Sequence, residues 1–126
     1  MYKNRLGGIV CPYCGEYGVM QKFQSNVTKE VIYRCDECLG ICESLSDLNN
    51  NIMVFEDSRY ANFIGINNFD TDALLLGTLT EKDFEQFQFN IKNYPDNGII
   101  TMYNKSYDND EITLQKGETT WNAKDN

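Results

Sequence analysis

The 126-residue chain contains no histidine, and this absence removes a whole group of chemistries at once. Histidine is the usual general base of Ser-His-Asp and Cys-His catalysis and a frequent partner of cysteine in mixed metal sites. Neither kind of site is open to this chain. We therefore expect any metal site to use cysteine or carboxylate ligands alone.

Long apolar runs are absent as well, because no stretch of about 18 apolar residues occurs, the length that a helix needs to span a bilayer. The segment before Cys11 has basic residues but lacks the apolar region of a secretory signal. We therefore expect no membrane partner and a cytoplasmic location. In a reducing compartment, five cysteines favour metal or thiol chemistry over disulfides.

Basic residues are scarce relative to acidic ones, 11 against 19, which gives a formal net charge of −8. Residues 1–45 balance their charges, so the whole acidic excess lies in residues 46–126. A surface of that sign repels phosphate backbones and favours basic partners or plain solubility. The composition therefore favours a basic protein partner over nucleic acid, without excluding the latter.

Four of the five cysteines form two pairs, Cys11-Pro-Tyr-Cys14-Gly15 and Cys35-Asp-Glu-Cys38. Alternating residues in Gly18–Arg34 predict a β-hairpin between the pairs, which brings the second pair back to the first. Four thiolates suit a tetrahedral Zn²⁺ ion, with Zn–S distances of about 2.3 Å. The spacing therefore predicts one structural zinc ion held by Cys11, Cys14, Cys35 and Cys38.

These two pairs resemble the zinc knuckles of zinc-ribbon and rubredoxin-like proteins, over roughly residues 9–42. The resemblance implies a ribbon fold with a structural metal, but such ribbons occur in transcription factors, ribosomal proteins and enzymes alike. Leu39 departs from the pattern, since glycine often follows the second cysteine of a knuckle and here comes only at Gly40; the geometry of the second turn is left open.

Other readings of the cysteines stay open. Iron also suits four thiolates, but the polar hairpin is unlike the closed apolar shell of a redox site, so zinc is favoured. A redox Cys-x-x-Cys pair leaves the other pair unexplained. Cys42 is a substitute ligand, a reactive thiol or a small buried side chain, and we favour the last because buried free cysteine is common.

The predicted fold class is α+β: an N-terminal zinc ribbon (residues 1–46) packed on an acidic α+β domain (residues 47–126) with a small antiparallel sheet and one main helix. The division is placed at the asparagine-rich stretch Asp47–Asn51. The elements predicted after it are buried apolar runs at Ile52–Phe55 and Ala73–Leu76, a helix at Glu81–Asn93, a hairpin of Ile99–Tyr103 with Glu111–Leu114 around the loop Asn104–Asp110, and a loose tail from Gly117.

The predicted helix rests on two signals. Thr80 and Asp83 have the spacing of a capping box. A stripe of Phe84, Phe87, Ile91 and Tyr94 has helical spacing, and Phe89 lies off it.

Three functions are compatible with these patterns, and we expect no catalytic residues. The leading one is a non-enzymatic protein-binding or inhibitory protein, such as an immunity protein or a phage-encoded inhibitor, acting through its acidic part. The first alternative is a nucleic-acid-associated ribbon, which would use basic and aromatic residues at Lys3, Arg5, Tyr13, Tyr17, Lys22, Phe23, Lys29, Tyr33 and Arg34. The second is an enzyme with a divalent ion on the carboxylates Asp70, Asp72, Asp108, Asp110 and Glu111.

Overall fold

The computed structural model describes residues 1–55, 58–94, 97–109 and 111–122 and shows a mixed α+β protein made mostly of strands. The strands are β1 (Tyr2–Lys3), β2 (Val10–Cys11), β3 (Gly15–Ser25), β4 (Val31–Cys35), β5 (Ile41–Cys42), β6 (Ile52–Met53), β7 (Ala73–Thr78), β8 (Lys92–Asn93), β9 (Asn97–Asp108) and β10 (Glu111–Asn122). The helices are α1 (Leu45–Asn49), α2 (Arg59–Phe63), α3 (Phe69–Asp72) and a 3-10 turn at Glu81–Phe84.

The largest sheet has five strands and is organised around β3. On one side β3 pairs with β4, and β5 follows beyond β4. On its other side β3 pairs with β2 near its start and with β7 near its end, all antiparallel. The predicted hairpin between the cysteine pairs is confirmed, and its turn is closed by the Ser25 N–H, which donates to the Glu30 carbonyl at 2.8 Å.

A second sheet contains the C-terminal hairpin, in the order β10-β9-β6. The predicted loop at Asn104–Asp110 is wrong, because β9 runs on to Asp108 and β10 begins at Glu111. Asn109 takes a left-handed φ of 49°, which suits a tight turn. The predicted loose tail is also wrong as far as Asn122, the end of β10; Ala123–Asn126 and Asp110 lie outside the described residues.

The predicted helix at Glu81–Asn93 is wrong beyond its first turn. Its capping box forms, with the Thr80 N–H donating to Asp83 at 2.7 Å, but the turn is a 3-10 turn that ends at Phe84. Lys92 and Asn93 instead form β8, which pairs in parallel with β1. The end of the segment therefore pairs with a strand from the N-terminal end of the chain instead of continuing as a helix.

The apolar stripe predicted for that helix is only partly buried. Phe84 belongs to the core, and Ile91 packs against it. Phe87 is 48% exposed, whereas Phe89, predicted to lie off the stripe, packs on the core beside Phe84. The aromatic rings that contact the core are therefore not the ones that helical spacing predicts.

Two apolar clusters form the interior. The larger contains Cys11 and Cys35 together with residues of the C-terminal half, including Leu79 and Met102. The smaller lies under β3 and β4 and is formed by Phe23, Ile32, Ala61, Ile64 and Ile66. The run Ile52–Phe55 contributes buried Met53 and Val54, as predicted.

The run Ala73–Leu76 was predicted to be buried, and this is wrong. It forms most of β7, and Leu74, Leu75 and Leu76 are 55%, 49% and 45% exposed.

Within the part of the chain that the structure describes, no helix has the length and apolar character to cross a membrane.

Candidate metal centre

The structure brings the four predicted ligands together. The cysteine sulfurs of Cys11, Cys14, Cys35 and Cys38 all lie within 4.8 Å of one another. Cys11 ends β2 and Cys14 directly precedes β3, while Cys35 ends β4. Because β2 and β4 flank the same strand, pairing with β3 places the two Cys-x-x-Cys turns at one end of the sheet.

The sulfur spacing fits a tetrahedral ion. The Sγ atoms of Cys11 and Cys38 are 3.7 Å apart, and those of Cys14 and Cys35 are 3.9 Å apart. A tetrahedron with metal–sulfur bonds of about 2.3 Å has edges of about 3.8 Å. A disulfide needs about 2.05 Å, and all five cysteines are free thiols. The cluster could therefore bind one metal ion.

The two Cys-x-x-Cys turns end in the same backbone conformation. Gly15 and Leu39, each directly after the second cysteine of its pair, both have a φ of 63°. Positive φ is easy for glycine and costly for leucine. The absence of glycine at position 39 therefore leaves the geometry of the second turn intact and adds strain there.

Close packing around the sulfurs requires another glycine. A Cβ added to Gly18 would lie 2.7 Å from the Cys35 sulfur and 3.0 Å from the Cys14 Cβ, both too close. Met53 covers the cluster from the other side, with its Sδ 3.8 Å from the Cys11 sulfur. The centre is therefore enclosed on its inner side, and Cys11 and Cys35 are buried.

Backbone N–H groups point at three of the sulfurs. Cys14 N–H donates to Cys11, Glu37 N–H to Cys35 and Gly40 N–H to Cys38, at 3.3 to 3.4 Å. Such donors stabilise thiolates and orient them as ligands.

The thiols also perturb one another. Hydrogen bonds with Cys11 and Cys35 lower the pKa of Cys38 well below its usual range. Sharing of protons with Cys35 and Cys38 raises the pKa of Cys11, and burial raises that of Cys14. Four thiolates at this spacing need a cation between them, so metal binding would release the shared protons.

Cys42 does not join the cluster. It is completely buried in the larger apolar cluster, and burial raises the pKa of its thiol. Of its three readings, the small buried side chain agrees with this position. Among the described residues, the four-cysteine group is the one set of three or more potential ligands close enough to share an ion.

One buried polar site, around Glu43, was not predicted from the sequence. Glu43 is buried, and its carboxylate accepts hydrogen bonds from the Ser58 hydroxyl (2.5 Å), the Tyr60 N–H (3.1 Å) and the Tyr107 hydroxyl. Lys105 pairs with it at 3.1 Å and with Asp47 at 3.0 Å. No local motif marks a carboxylate that collects its donors from residues 15 to 64 positions away.

The pKa values of this group follow from its contacts. Burial opposes ionisation of Glu43, but its hydrogen bonds from Ser58, Tyr107 and Lys105 hold its pKa below the ordinary value. Burial would lower the pKa of Lys105, yet the pairing with Asp47 and Glu43 raises it. The pair therefore stays ionised at neutral pH.

The basic and aromatic candidates for nucleic-acid binding are not all exposed. Phe23 and Tyr33 are buried, and the Arg34 guanidinium lies 4.5 Å from the centre of the Phe69 ring. Lys3 is paired with Glu81. Tyr13 and Tyr17 are exposed, as are Arg5 and Lys29, and Lys22 is partly exposed.

The carboxylate candidates have local structural contacts. Asp72 accepts the N–H groups of Asn67 and Asn68 at 3.0 and 2.9 Å, and these bonds keep its pKa low. Asp70 lies nearby on α3, whereas Asp108 and Glu111 face each other across the β9–β10 turn. The two groups are not part of the metal cluster.

Comparison with known proteins identifies no relative: no family model, curated protein or solved structure matches this chain.

Proposed function

We propose that this is a non-enzymatic protein-binding protein of the cytoplasm, built on a zinc ribbon that stabilises its fold, and that its partner is a basic protein. The observation that carries the proposal is an exposed row of leucines on an otherwise strongly acidic chain. Immunity proteins and phage-encoded inhibitors are proteins of this kind.

Zinc is the metal that fits the ligand set best. Four thiolates with tetrahedral spacing are typical of structural zinc, whereas a catalytic zinc keeps one position for water. The burial of Cys11 and Cys35 and the cover of Met53 support a closed site. Two of the ligands also belong to the larger apolar cluster, so the metal would hold part of the core.

Purified protein should therefore contain one zinc ion per chain by elemental analysis. Cys14→Ser should lose the ion together with the native fold, because the free energy of metal binding contributes to the free energy of folding. Cys42→Ser is the matched control, since Cys42 is buried beside the cluster but outside it. Full zinc occupancy in Cys14→Ser, or equal zinc loss in Cys42→Ser, would contradict the ligand set.

The exposed leucines project from both faces of β7, and two more exposed apolar residues come from the turn and the helix next to this strand. We call these five residues the leucine patch: Val27, Phe63, Leu74, Leu75 and Leu76. Val27 and Phe63 are 75% and 81% exposed. The β3–β4 turn, which carries Val27, bonds to the end of α2 and to the residue before β7. Thr28 Oγ1 donates to the Ile64 carbonyl at 3.1 Å, and the Asn26 N–H donates to the Asp72 carbonyl at 2.9 Å.

An apolar surface of this kind usually marks a contact with another protein. Consecutive exposed leucines on a strand are an aggregation hazard that proteins normally avoid unless the surface is used. The net charge of −8 keeps such a chain soluble and selects a partner of opposite sign.

Affinity purification from the native cell should recover a protein that depends on the leucine patch. The double change Leu74→Ser with Leu76→Ser should weaken that interaction ~tenfold or more, since each lost apolar contact removes about 1 kcal/mol. Both side chains are about half exposed, so the fold and the zinc content should be kept.

Ile112→Ser is the matched control, because Ile112 is 60% exposed on β10, in the other sheet. It should leave the interaction unchanged. Equal recovery of the partner by the wild-type chain and the Leu74/Leu76 variant would refute the patch as the binding surface.

A further inference from the structure

β7 is an edge strand with one side open. Its residues 73–75, 77 and 78 pair with β3. Within the described residues, no strand pairs with its other side. An open edge presents unpaired N–H and C=O groups, to which an extended segment of another chain can bind.

The register shows which backbone groups face the open side. The Asn26 N–H donates to the Asp72 carbonyl. Gln24, two residues before Asn26, is opposite Leu74, two residues after Asp72. Hydrogen-bonded and non-bonded pairs alternate along an antiparallel ladder. Leu74 therefore bonds to β3, whereas the N–H and C=O of Leu75 point to the open edge. The Ser25 N–H, opposite Ala73, points away to Glu30, as this pattern requires.

Both faces of the open edge are apolar. Leu75 is directly opposite Phe23 and so shares the face that carries the smaller apolar cluster. Leu74 projects from the other face beside Gln24. A strand added at this edge would therefore place side chains against apolar surface on both of its faces.

The start of the strand carries negative charge. Asp70 and Asp72 directly precede β7, on α3. At the far end Thr78 is uncharged; beyond it Glu81 is paired with Lys3, and Asp83 accepts the Thr80 N–H next to Lys82. The unequal ends distinguish one direction of a charged ligand from the other.

We propose that an extended segment of the partner adds to β7 as a further strand of the five-stranded sheet, apolar in its middle and carrying lysine or arginine at the end beside Asp70 and Asp72. The inference rests on the proposed function and names the chemistry of its partner. It adds a binding mode, backbone pairing at Leu75, which an apolar patch alone does not require.

A second copy of the chain fits this edge less well. Antiparallel self-pairing centred on Leu75 would set Asp72 of each copy opposite the uncharged Thr78 of the other, leaving both carboxylates without a cation. Two chains of charge −8 also repel each other. A partner segment with basic residues meets neither difficulty.

The probe is a synthetic peptide of five alternating valine and threonine residues followed by two lysines, titrated against zinc-loaded protein by NMR. We expect shifted amide signals on β7 and a Kd ~tenfold lower than that of the same peptide ending in two glutamates, with the difference shrinking at high salt. Equal Kd values for the two peptides, or no binding, would overturn the inference.

Backbone pairing has its own readout in the peptide. N-methyl groups on alternate residues block one edge of an extended peptide and leave the other edge free. Of the two alternately methylated versions, one should bind as the parent does and the other should lose binding. Loss of binding by both, or retention by both, would exclude strand addition.

The protein side is tested by Leu75→Pro against Leu75→Ala. Both remove the side chain, but only proline removes the outward N–H, and proline is tolerated on an edge strand where that group faces solvent. We expect the proline variant to bind the peptide ~tenfold more weakly than the alanine variant, with equal zinc content. Equal binding by the two would overturn the inference.

The outcomes separate this inference from the proposed function. A cellular partner that is lost with the Leu74/Leu76 variant but kept by Leu75→Pro supports protein binding and overturns strand addition. A wild-type dimer in sedimentation that Leu75→Pro dissociates would replace the basic partner by a second copy of the chain.

Discussion

Leu39 shows that a Cys-x-x-Cys turn can keep its backbone geometry although the glycine expected from the sequence is absent. It takes the same left-handed φ of 63° as Gly15, the residue at the equivalent place in the other turn. Closure of the second Cys-x-x-Cys turn over its sulfur imposes this conformation on whatever residue stands there. The cost to leucine is about 1 kcal/mol or more.

Leu39→Gly should therefore stabilise the zinc-loaded protein, by about 0.5–1 kcal/mol after the greater chain entropy of glycine is subtracted. Leu39 is 51% exposed, so little buried surface is lost. The urea midpoint measures the change. Leu39→Ala is the control, because alanine loses the same side chain but keeps the strain; a glycine variant no more stable than the alanine variant would contradict the strain.

The clustering of the four cysteines could be predicted from the sequence because its geometry is local. Each pair spans two intervening residues, and the hairpin between the pairs is visible in its alternation. Glu43 could not be predicted in this way, since its partners Ser58, Tyr60, Lys105 and Tyr107 come from distant segments. Local pattern therefore identified the cysteine cluster and missed the buried ion pair.

At the scale of whole elements, the error at Glu81–Asn93 has a physical cause: pairing with a distant strand overrode local propensity at the end of the segment. The segment after Thr80 has helical capping signals, but Phe87, Phe89 and Ile91 also alternate with period two. Neither alternative forms, because residues 85–91 make a turn and an irregular stretch and only Lys92 and Asn93 pair with β1. That partner strand lies 90 residues away in the chain, so no local pattern reveals it.

The C-terminal hairpin was predicted, but its strands are longer than predicted, for a different reason. Its central residues, including Asn104 and Ser106, are polar and exposed on one face, so they lack the apolar alternation that predicts a strand. The leucines of β7 gave the opposite error, because an apolar run predicts burial unless a strand lies at an edge. Which strand forms an edge depends on the topology of the whole sheet.

For the molecule as a whole, the ion pair of Glu43 with Lys105 joins the region of β5, α1 and α2 to the distant strand β9. Glu43 follows β5, Ser58 is the N-cap of α2, Asp47 lies in α1 and Lys105 in β9. All of the acceptors and donors are satisfied within this group. The pair therefore couples the end of the cysteine-bearing sheet to the C-terminal hairpin.

Glu43→Gln should destabilise the protein by about 3 kcal/mol at pH 7, the usual cost of breaking a buried pair. The folded pKa of Glu43 is lowered, so its contribution is present above the unfolded pKa of about 4.3 and is lost as the pH falls through the lower folded value. Denaturant melts of both proteins between pH 7 and 3 should show the difference narrowing below about pH 4.

Lys105 has the opposite sign, because its folded pKa is raised. Its contribution is full below the unfolded pKa of about 10.4 and is lost as the pH rises through the folded value.

The matched control for Glu43→Gln is Glu118→Gln, at an exposed residue of β10. A constant difference between wild type and Glu43→Gln across the acidic range would refute the role of the ionised carboxylate.

The order of the cysteines and β7 along the chain has a consequence for synthesis on the ribosome, where the N-terminal part of a chain emerges first. The four clustered cysteines have left the exit tunnel long before residues 73–78, so a metal bound there would close the hairpin while the far edge of β3, from Gln21 to Ser25, still lacks β7. In that interval the nascent chain exposes a strand edge to its neighbours on the same polysome. The nascent chain is therefore most open to misassembly between the formation of the β3–β4 hairpin and the arrival of β7.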